Sequence, residues 1–328
     1  MMKREVAGHG GVFVAVIGLV LVSAPERAAR ADEYPEPGIA AGSKSAEAPK
    51  PPPPPYSLPW QLRPLNVGNV LRSDTSVAFY DSSNGAQAGT TTATMLLGSY
   101  KLTPELAPLV RFAFVYNDAP SVDGGPPSGT AMVNPLLGVT YASTALGMRW
   151  AAFAAVTLPV GQGGGDSPDK GAAEAAARGI PARAAMDNAM FATNYFTVIG
   201  GYGVGYVRHG FTAQAEVTVL QLFRVRGPDT QDERRTNFTA GVHTGYFVAP
   251  WLSLGGEVRC QLWLSDAAPV RMNDEARETF TFAVGPRLHF KVGGKHWLRP
   301  GVSYARALDA PFSTSHYQMV QVDLPFVF

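Results

Sequence analysis

The sequence predicts an all-β protein: a transmembrane antiparallel up-and-down β-barrel of about twelve strands. Three observations point there. Long stretches alternate apolar and polar side chains, the connections between them alternate short and long, and the chain ends on an aromatic residue inside one such stretch, "YQMVQVDLPFVF". In "TFTFAVGPRLHFK", Phe280, Phe282, Val284, Pro286, Leu288 and Phe290 share one face, while Thr279, Thr281, Ala283, Gly285, Arg287, His289 and Lys291 share the other. A soluble sandwich alternates too, but its strands run about half as long, and a tilted strand needs roughly ten residues to cross a bilayer.

The N-terminus reads as a signal peptide over 1–31: Lys3 and Arg4 precede an apolar run from Val12 to Val22, and Ala29 and Ala31 supply small residues at cleavage spacing. The run is about half the ~20 residues a spanning helix requires, which disfavours an uncleaved anchor. Cleavage is expected between Ala31 and Asp32; the rival cut after Ala24 would put Pro25 just beyond the scissile bond. Removing 1–31 takes four of 27 cations and two of 26 anions, leaving 23 against 24, a net of −1. That balance lacks the concentrated basic face that nucleic acid calls for. Cys260 is the only cysteine, so no internal disulfide can form, and a lipid-anchored N-terminus is not expected.

Residues 32–64 differ in kind, with Pro35, Pro37, Pro49, Pro51 to Pro55, Pro59 and Pro64 among Ala, Lys and Glu. Such a composition reads as a disordered, proline-rich periplasmic tether, either a plain spacer or a segment that touches peptidoglycan or a partner. The barrel domain follows over 65–328.

Alternating stretches lie at about 70–80, 91–102, 108–117, 133–142, 148–159, 194–208, 211–224, 236–247, 251–264, 279–291, 296–305 and 316–328. An even count is what single-chain bacterial barrels show. Connections at 103–107, 143–147, 209–210, 248–250 and 292–295 are short, and those at 81–90, 118–132, 160–193, 225–235, 265–278 and 306–315 are longer. Short periplasmic turns and long outer loops produce that pattern, and both termini then lie on the periplasmic side. Tyr100, Trp150, Tyr202, Tyr206, Tyr246, Trp297 and Tyr304 fall mostly near strand ends, as interface girdles would. Closure is obligatory, because a free strand edge in hydrocarbon leaves backbone groups unpaired.

The stretch "VNPLLGVTYASTALGMRWAAFAAVTLPVGQGGGD" over 133–166 resembles the outer-membrane barrel family of the phenol-degradation meta-pathway type. The Asn134-Pro135 opening, the hairpin into an Ala-rich strand and the Leu158-Pro159-Val160-Gly161 exit carry the resemblance, with Val160 standing where that family typically has Thr. The resemblance implies an outer-membrane barrel that passes small, often hydrophobic or aromatic molecules, and it brings no catalytic residues.

If the apolar faces meet outer-membrane lipid, the opposite faces place Arg72, Asp74, Arg111, Arg149, Glu216, His243, Glu257, Arg259, Arg287, His289, Arg299 and Asp323 in the lumen. Opposite charges confined away from water should pair, so this set is either a network that stiffens the lumen or a lining that selects solutes. Loop 160–193 carries a helix-prone "DKGAAEAAARG" over 169–179 and returns through "MDNAMFATN". It either folds inward as a constriction, with Met186, Met190 and Phe191 offering an apolar patch, or lies on the outer surface; the inward fold is the expectation. Glycines over 200–210 precede no helix that could hold a phosphate and read as a bend or as positions facing a bulky neighbour.

No metal or cofactor spacing is present: the histidines stand singly. Ser315-His316 is the nearest imitation of a barrel lipase pair, but adjacent strand residues point to opposite faces and no amide partner is recognisable. The sequence therefore favours an outer-membrane channel for passive diffusion of small-molecule solutes over a structural or adhesive barrel, and a hydrolase ranks last. On the closing strand, Val320, Val322, Leu324, Phe326 and Phe328 form the lipid face and Tyr317, Met319, Gln321, Asp323 and Pro325 the lumen face. The terminal Phe328 also resembles the signal read by the outer-membrane assembly machinery.

Overall fold

A computed structural model describes residues 56–81, 88–119, 127–294 and 296–328. The expected signal peptide and residues 32–55 of the expected tether lie outside the described residues. Fifteen strand segments form one antiparallel sheet; three strands are each interrupted once, so these segments make twelve barrel strands. They are β1 (Val70–Asp81), β2 (Ala88–Ser99), β3 (Leu106–Asp118), β4 (Gly129–Met132, then Leu136–Ala145), β5 (Met148–Thr157) and β6 (Tyr195–Arg208). They continue as β7 (Phe211–Arg224), β8 (Arg234–Ala249), β9 (Leu252–Trp263), β10 (Glu278–Leu288, then Phe290–Val292), β11 (His296–Leu298, then Gly301–Ala307) and β12 (Gln318–Val327). Neighbours in sequence are neighbours in the sheet, and β1 pairs with β12 from Val70↔Val327 to Phe79↔Gln318, closing the barrel.

The period-two pattern sets which face is which. Along β12, Val320, Val322 and Leu324 are exposed on the outside, while Met319, Gln321 and Asp323 are buried within. The exterior is thus greasy and the interior charged, the inverse of a water-soluble barrel. Exposed Tyr100, Tyr206, Tyr246 and Trp251 ring the short-turn end, with Trp150 stacked between Tyr141 and Tyr202 at centroid distances of 5.4 and 6.3 Å. Two of the tight turns, Leu146–Gly147 and His209–Gly210, have both central residues at positive φ, the twist that matches a two-residue hairpin.

Three strands differ from the sequence expectation by a break. In β4 the break falls at Val133–Pro135, where the buried Asn134 side chain leaves the ladder to hold the long loop: it accepts from Gly161 N at 3.0 Å and donates to the Ala192 and Tyr195 carbonyls at 2.9 and 3.3 Å. Asn134 therefore staples both stems of the loop instead of opening the strand. In β10 and β11 the breaks fall at His289 and at Arg299–Pro300, and Pro300 cannot donate to a ladder. There the His289 N–H turns to the Trp251 carbonyl (2.9 Å) and Leu288 N to the Pro300 carbonyl (2.8 Å).

The long loop, observed over 158–194, folds into the barrel. Its helix α1 (Lys170–Ala182) is capped by the Asp169 carboxylate accepting from Ala172 N at 2.8 Å. Its buried face is all small: Ala172, Ala175, Ala176, Gly179 and Ala182. The wall beside it is small too, with Ala78, Ala93, Ala113 and Ala131 at 2% exposure or less. Small residues on both sides let a helix fit inside a barrel this narrow. A one-turn helix, α2 (Asn188–Phe191), completes the loop, and Phe191 lies flat enough on Gly179 that a Cβ there would overlap its ring.

Candidate functional site: a lumen closed from both ends

The expected tether boundary at Pro64 needs correction, because Tyr56–Asn66 is not a free linker. The segment enters from the short-turn end, reaches its deepest point near Trp60–Arg63 and returns to β1, with Trp60 and Leu62 each 1% exposed and Leu65 3%. Proline-rich composition excludes a packed core of its own, but the barrel wall supplies one.

Two wall carboxylates take hold of its backbone. Glu257 on β9 accepts from the N–H groups of Trp60 (2.7 Å), Gln61 (3.1 Å) and Leu62 (3.4 Å). Glu216 on β7 accepts from Arg63 N at 2.6 Å and is paired with the Arg63 guanidinium. Four successive amides thus converge on two anions, a charge-assisted arrangement. The carbonyls are held as firmly: Ser57 O by His243 Nε2 (3.1 Å), Trp60 O by Arg72 and by Gln321 Nε2 (3.2 Å), and Arg63 O by Gln214 Nε2 (2.6 Å). The Tyr56 hydroxyl donates to Gln214 Oε1 and accepts from Leu65 N, so the two ends of the segment meet.

The side chains fit hollows left by glycine. A Cβ at Gly301 would overlap the Trp60 ring, and one at Gly241 the Leu62 methyl groups. Gly203 and Gly205 likewise yield to Leu65, and Gly245 to Ser57, which identifies the bulky neighbour anticipated for the 200–210 glycines. The Arg287 guanidinium sits 4.3 Å from the Trp60 ring, and Arg149 5.4 Å from that of Tyr56.

The outer half of the lumen is filled by the loop. Arg183, just past α1, pairs with Asp74 on β1 at 2.9 Å and with Asp187 at 3.1 Å, and Asp187 pairs with Arg111 on β3 at 3.0 Å. Asp74 Oδ1 also accepts from Gln321 Nε2 at 2.8 Å, the same amide that holds Trp60 O. Asp74 and Gln321 therefore join the two closures. Met186, Met190 and Phe191 are buried at 9%, 1% and 3% exposure. That corrects the expectation of an open apolar patch for a solute: Met190 and Phe191 pack into the same apolar cluster as Ala113, Val115 and Val133, where they anchor the loop.

All twelve expected lumen positions face inward, but they are not one cluster. Glu257, Arg259 (Nε to Oε1, 2.7 Å) and His243 (3.8 Å) form one group. Arg72, Arg287 and Asp323 form a second, both guanidiniums lying 2.6 Å from the carboxylate. His289 bonds Ser253 Oγ at 2.9 Å and packs on Phe247, and Arg299 lies over Trp297, both near the short-turn rim. Arg63, Gln214, Arg183 and Asp187 were not singled out in the sequence and complete the groups. Ser315 Oγ donates to the Phe312 carbonyl and His316 Nδ1 pairs with Asp81 at 2.6 Å, so these two side chains are bonded elsewhere.

A cavity of about 110 Å³ remains between the segment and β1 to β4, lined among others by Leu58, Arg63, Arg72, Leu97 and Arg111. That is smaller than the dry cavities near 150 Å³ that take benzene.

The outer closure should respond to acid. Burial pushes the Asp187 carboxyl up, but Arg111 and then Arg183 outweigh it and hold it below the usual carboxylate range. A lowered folded value means that this pairing stabilises the loop fully above the unfolded carboxylate value of about pH 4 and loses its contribution as pH falls from there through the lower folded value. Acidification below about pH 4 is expected to expose 163–169 to an acid-active protease, and Asp187→Asn to expose it already at neutral pH. An acid step unchanged in Asp187→Asn would assign the response to another group.

No family profile matches the sequence, and no curated protein matches it. Among solved structures, the chain is similar to the COG4313 outer membrane channel from Pseudomonas putida F1, at 14% identity over 82% of this chain and 97% of that one, TM-score 0.49. It is similar also to the NanC porin, at 8% identity over 78% and 98%, TM-score 0.45, and to the KdgM porin, at 7% over 78% and 99%, TM-score 0.43. The likeness is one of strand architecture, and the roles of the lumen residues rest on their own geometry.

Proposed function

We propose that the chain is an outer-membrane channel for passive diffusion of small molecules in a Gram-negative bacterium, seen here in a closed state. One observation carries the reading: an apolar exterior surrounds a charged interior that is filled by two segments outside the sheet, Tyr56–Asn66 and the long loop, rather than by the wall's own side chains alone. A barrel of eight strands is filled by side chains and one of sixteen to eighteen holds a water channel, so at twelve the removable segments decide whether a path exists. In this reading outer-membrane lipids contact the exterior, and the segment preceding Tyr56 serves as a periplasmic tether after removal of the signal peptide, free to contact peptidoglycan.

The lumen charges favour a class of solute. Six guanidiniums, of Arg63, Arg72, Arg111, Arg183, Arg259 and Arg287, share five carboxylates, of Asp74, Asp187, Glu216, Glu257 and Asp323. Arg149 and Arg299 add to the excess, and both terminal nitrogens of the buried Arg259 have no partner. An excess of donors supports small molecules that carry carboxylate or other acceptor groups. The resemblance over 133–166 supports an aromatic or hydrophobic body, and an aromatic carboxylate satisfies both. The loop and the twelve lumen residues are then the selectivity elements.

The double closure also favours a second reading, a structural or adhesive barrel that never conducts. Planar-bilayer recording separates the two: full-length protein is expected to conduct rarely, and Glu257→Ala/Glu216→Ala, which releases four backbone amides, to raise the open probability at least tenfold with a preference for anions. A silent double variant that still migrates as a folded barrel supports the second reading. For Phe328, whose N–H reaches the Asn69 carbonyl at 3.0 Å across the seam, deletion is expected to reduce insertion by the assembly machinery; normal insertion would remove its role as an address.

A further inference from the structure

The contacts around Tyr56–Asn66 read a peptide, and they read it in a way that another peptide can satisfy. We infer that the short-turn half of the lumen is a peptide-binding site, occupied here by the chain's own bent segment, which takes a free peptide of the same type when that segment is weakened or withdrawn. The inference goes beyond diffusion of small molecules and holds whether or not the barrel conducts.

Recognition has two parts. The main chain is read by fixed polar groups on the wall: amides 60 to 63 by Glu257 and Glu216, and carbonyls 57, 60 and 63 by His243, by Arg72 with Gln321, and by Gln214. Specificity comes from hollows that glycine leaves for Trp60, Leu62 and Leu65 and from the Glu216 partner of Arg63. The class recognised is therefore a peptide that bends at its centre and carries there an aromatic residue, a Leu two positions on and an Arg after it.

The segment joins no strand ladder, so leaving costs the sheet nothing. Withdrawal would leave Glu257 with Arg259 and His243 but without three amide donors, and Glu216 without its Arg63 contacts. Buried carboxylates stripped of donors are costly. A vacant site regains those contacts from any ligand with successive N–H groups, and small acceptor-rich solutes have none to offer.

The test uses the full-length chain in detergent and a fluorescent synthetic peptide of residues 56–66. Wild-type protein should bind it weakly, because the site is filled. Trp60→Ala/Leu62→Ala/Arg63→Ala, which weakens only the resident segment, should bind it at least tenfold more tightly, and a scrambled peptide should not compete. Adding Gly301→Leu to that variant, which blocks the Trp60 hollow, should abolish binding while the barrel still resists SDS. If the triple variant fails to fold, Trp60→Ala alone serves. Equal binding of the scrambled peptide, no saturable binding, or indifference to Gly301→Leu would overturn the inference. Conductance of the same variant is read separately: current without peptide binding ends this inference and leaves the channel reading, whereas peptide binding without current does the reverse.

Discussion

Charge inside a narrow barrel has to be paired, and that requirement organises this molecule. The outward faces of the strands are mostly apolar, so their alternation sends most of the charged residues inward, where bulk water is scarce. An isolated buried ion is costly, and pairing alone seldom repays its desolvation unless further hydrogen bonds complete it. Glu257 and Glu216 are completed by backbone amides of Trp60 to Arg63, and Asp74 by Arg183 from the loop. Wall and fillers are therefore one electrostatic unit.

This unit has a natural dividing line. The inner filler touches Glu216, Glu257, Arg72 and Gln321, the outer one Asp74 and Arg111, and Asp74 links the two sides by meeting both Gln321 and Arg72. Each filler is also held by shape: glycine hollows for Trp60 and Leu62, and an alanine-on-alanine contact for α1. Each filler is thus held by polar bonds and by shape together. Neither filler adds a strand to the sheet, so the ladder of the barrel closes without them.

Most of the barrel was legible in the sequence because a period of two survives any register that keeps one face in lipid. The lumen residues followed automatically as the opposite face, and α1 from the alanine-rich stretch over 169–179. The breaks at Asn134 and at Arg299–Pro300 were not legible, because nothing local distinguishes an Asn that pairs in a ladder from one that staples a distant loop. The inner filler was hidden by its composition: proline runs look the same whether solvated or lodged in a cleft. Its signal was indirect and lay elsewhere. Gly203, Gly205, Gly241, Gly245 and Gly301 all stand at inward positions, and several strands that give up side chains toward one space imply an occupant. Met190 and Phe191 misled for a related reason, since an apolar pair in a loop reads equally as a ligand patch or as an anchor.

Trp60 to Arg63 are bonded inside the lumen through their own amides. Hydrogen–deuterium exchange of the full-length protein in lipid nanodiscs measures this without any substitution. These amides are expected to exchange orders of magnitude more slowly than those of a free peptide of residues 56–66, approaching the protection of the barrel strands. Exchange at the free-peptide rate would contradict that bonding.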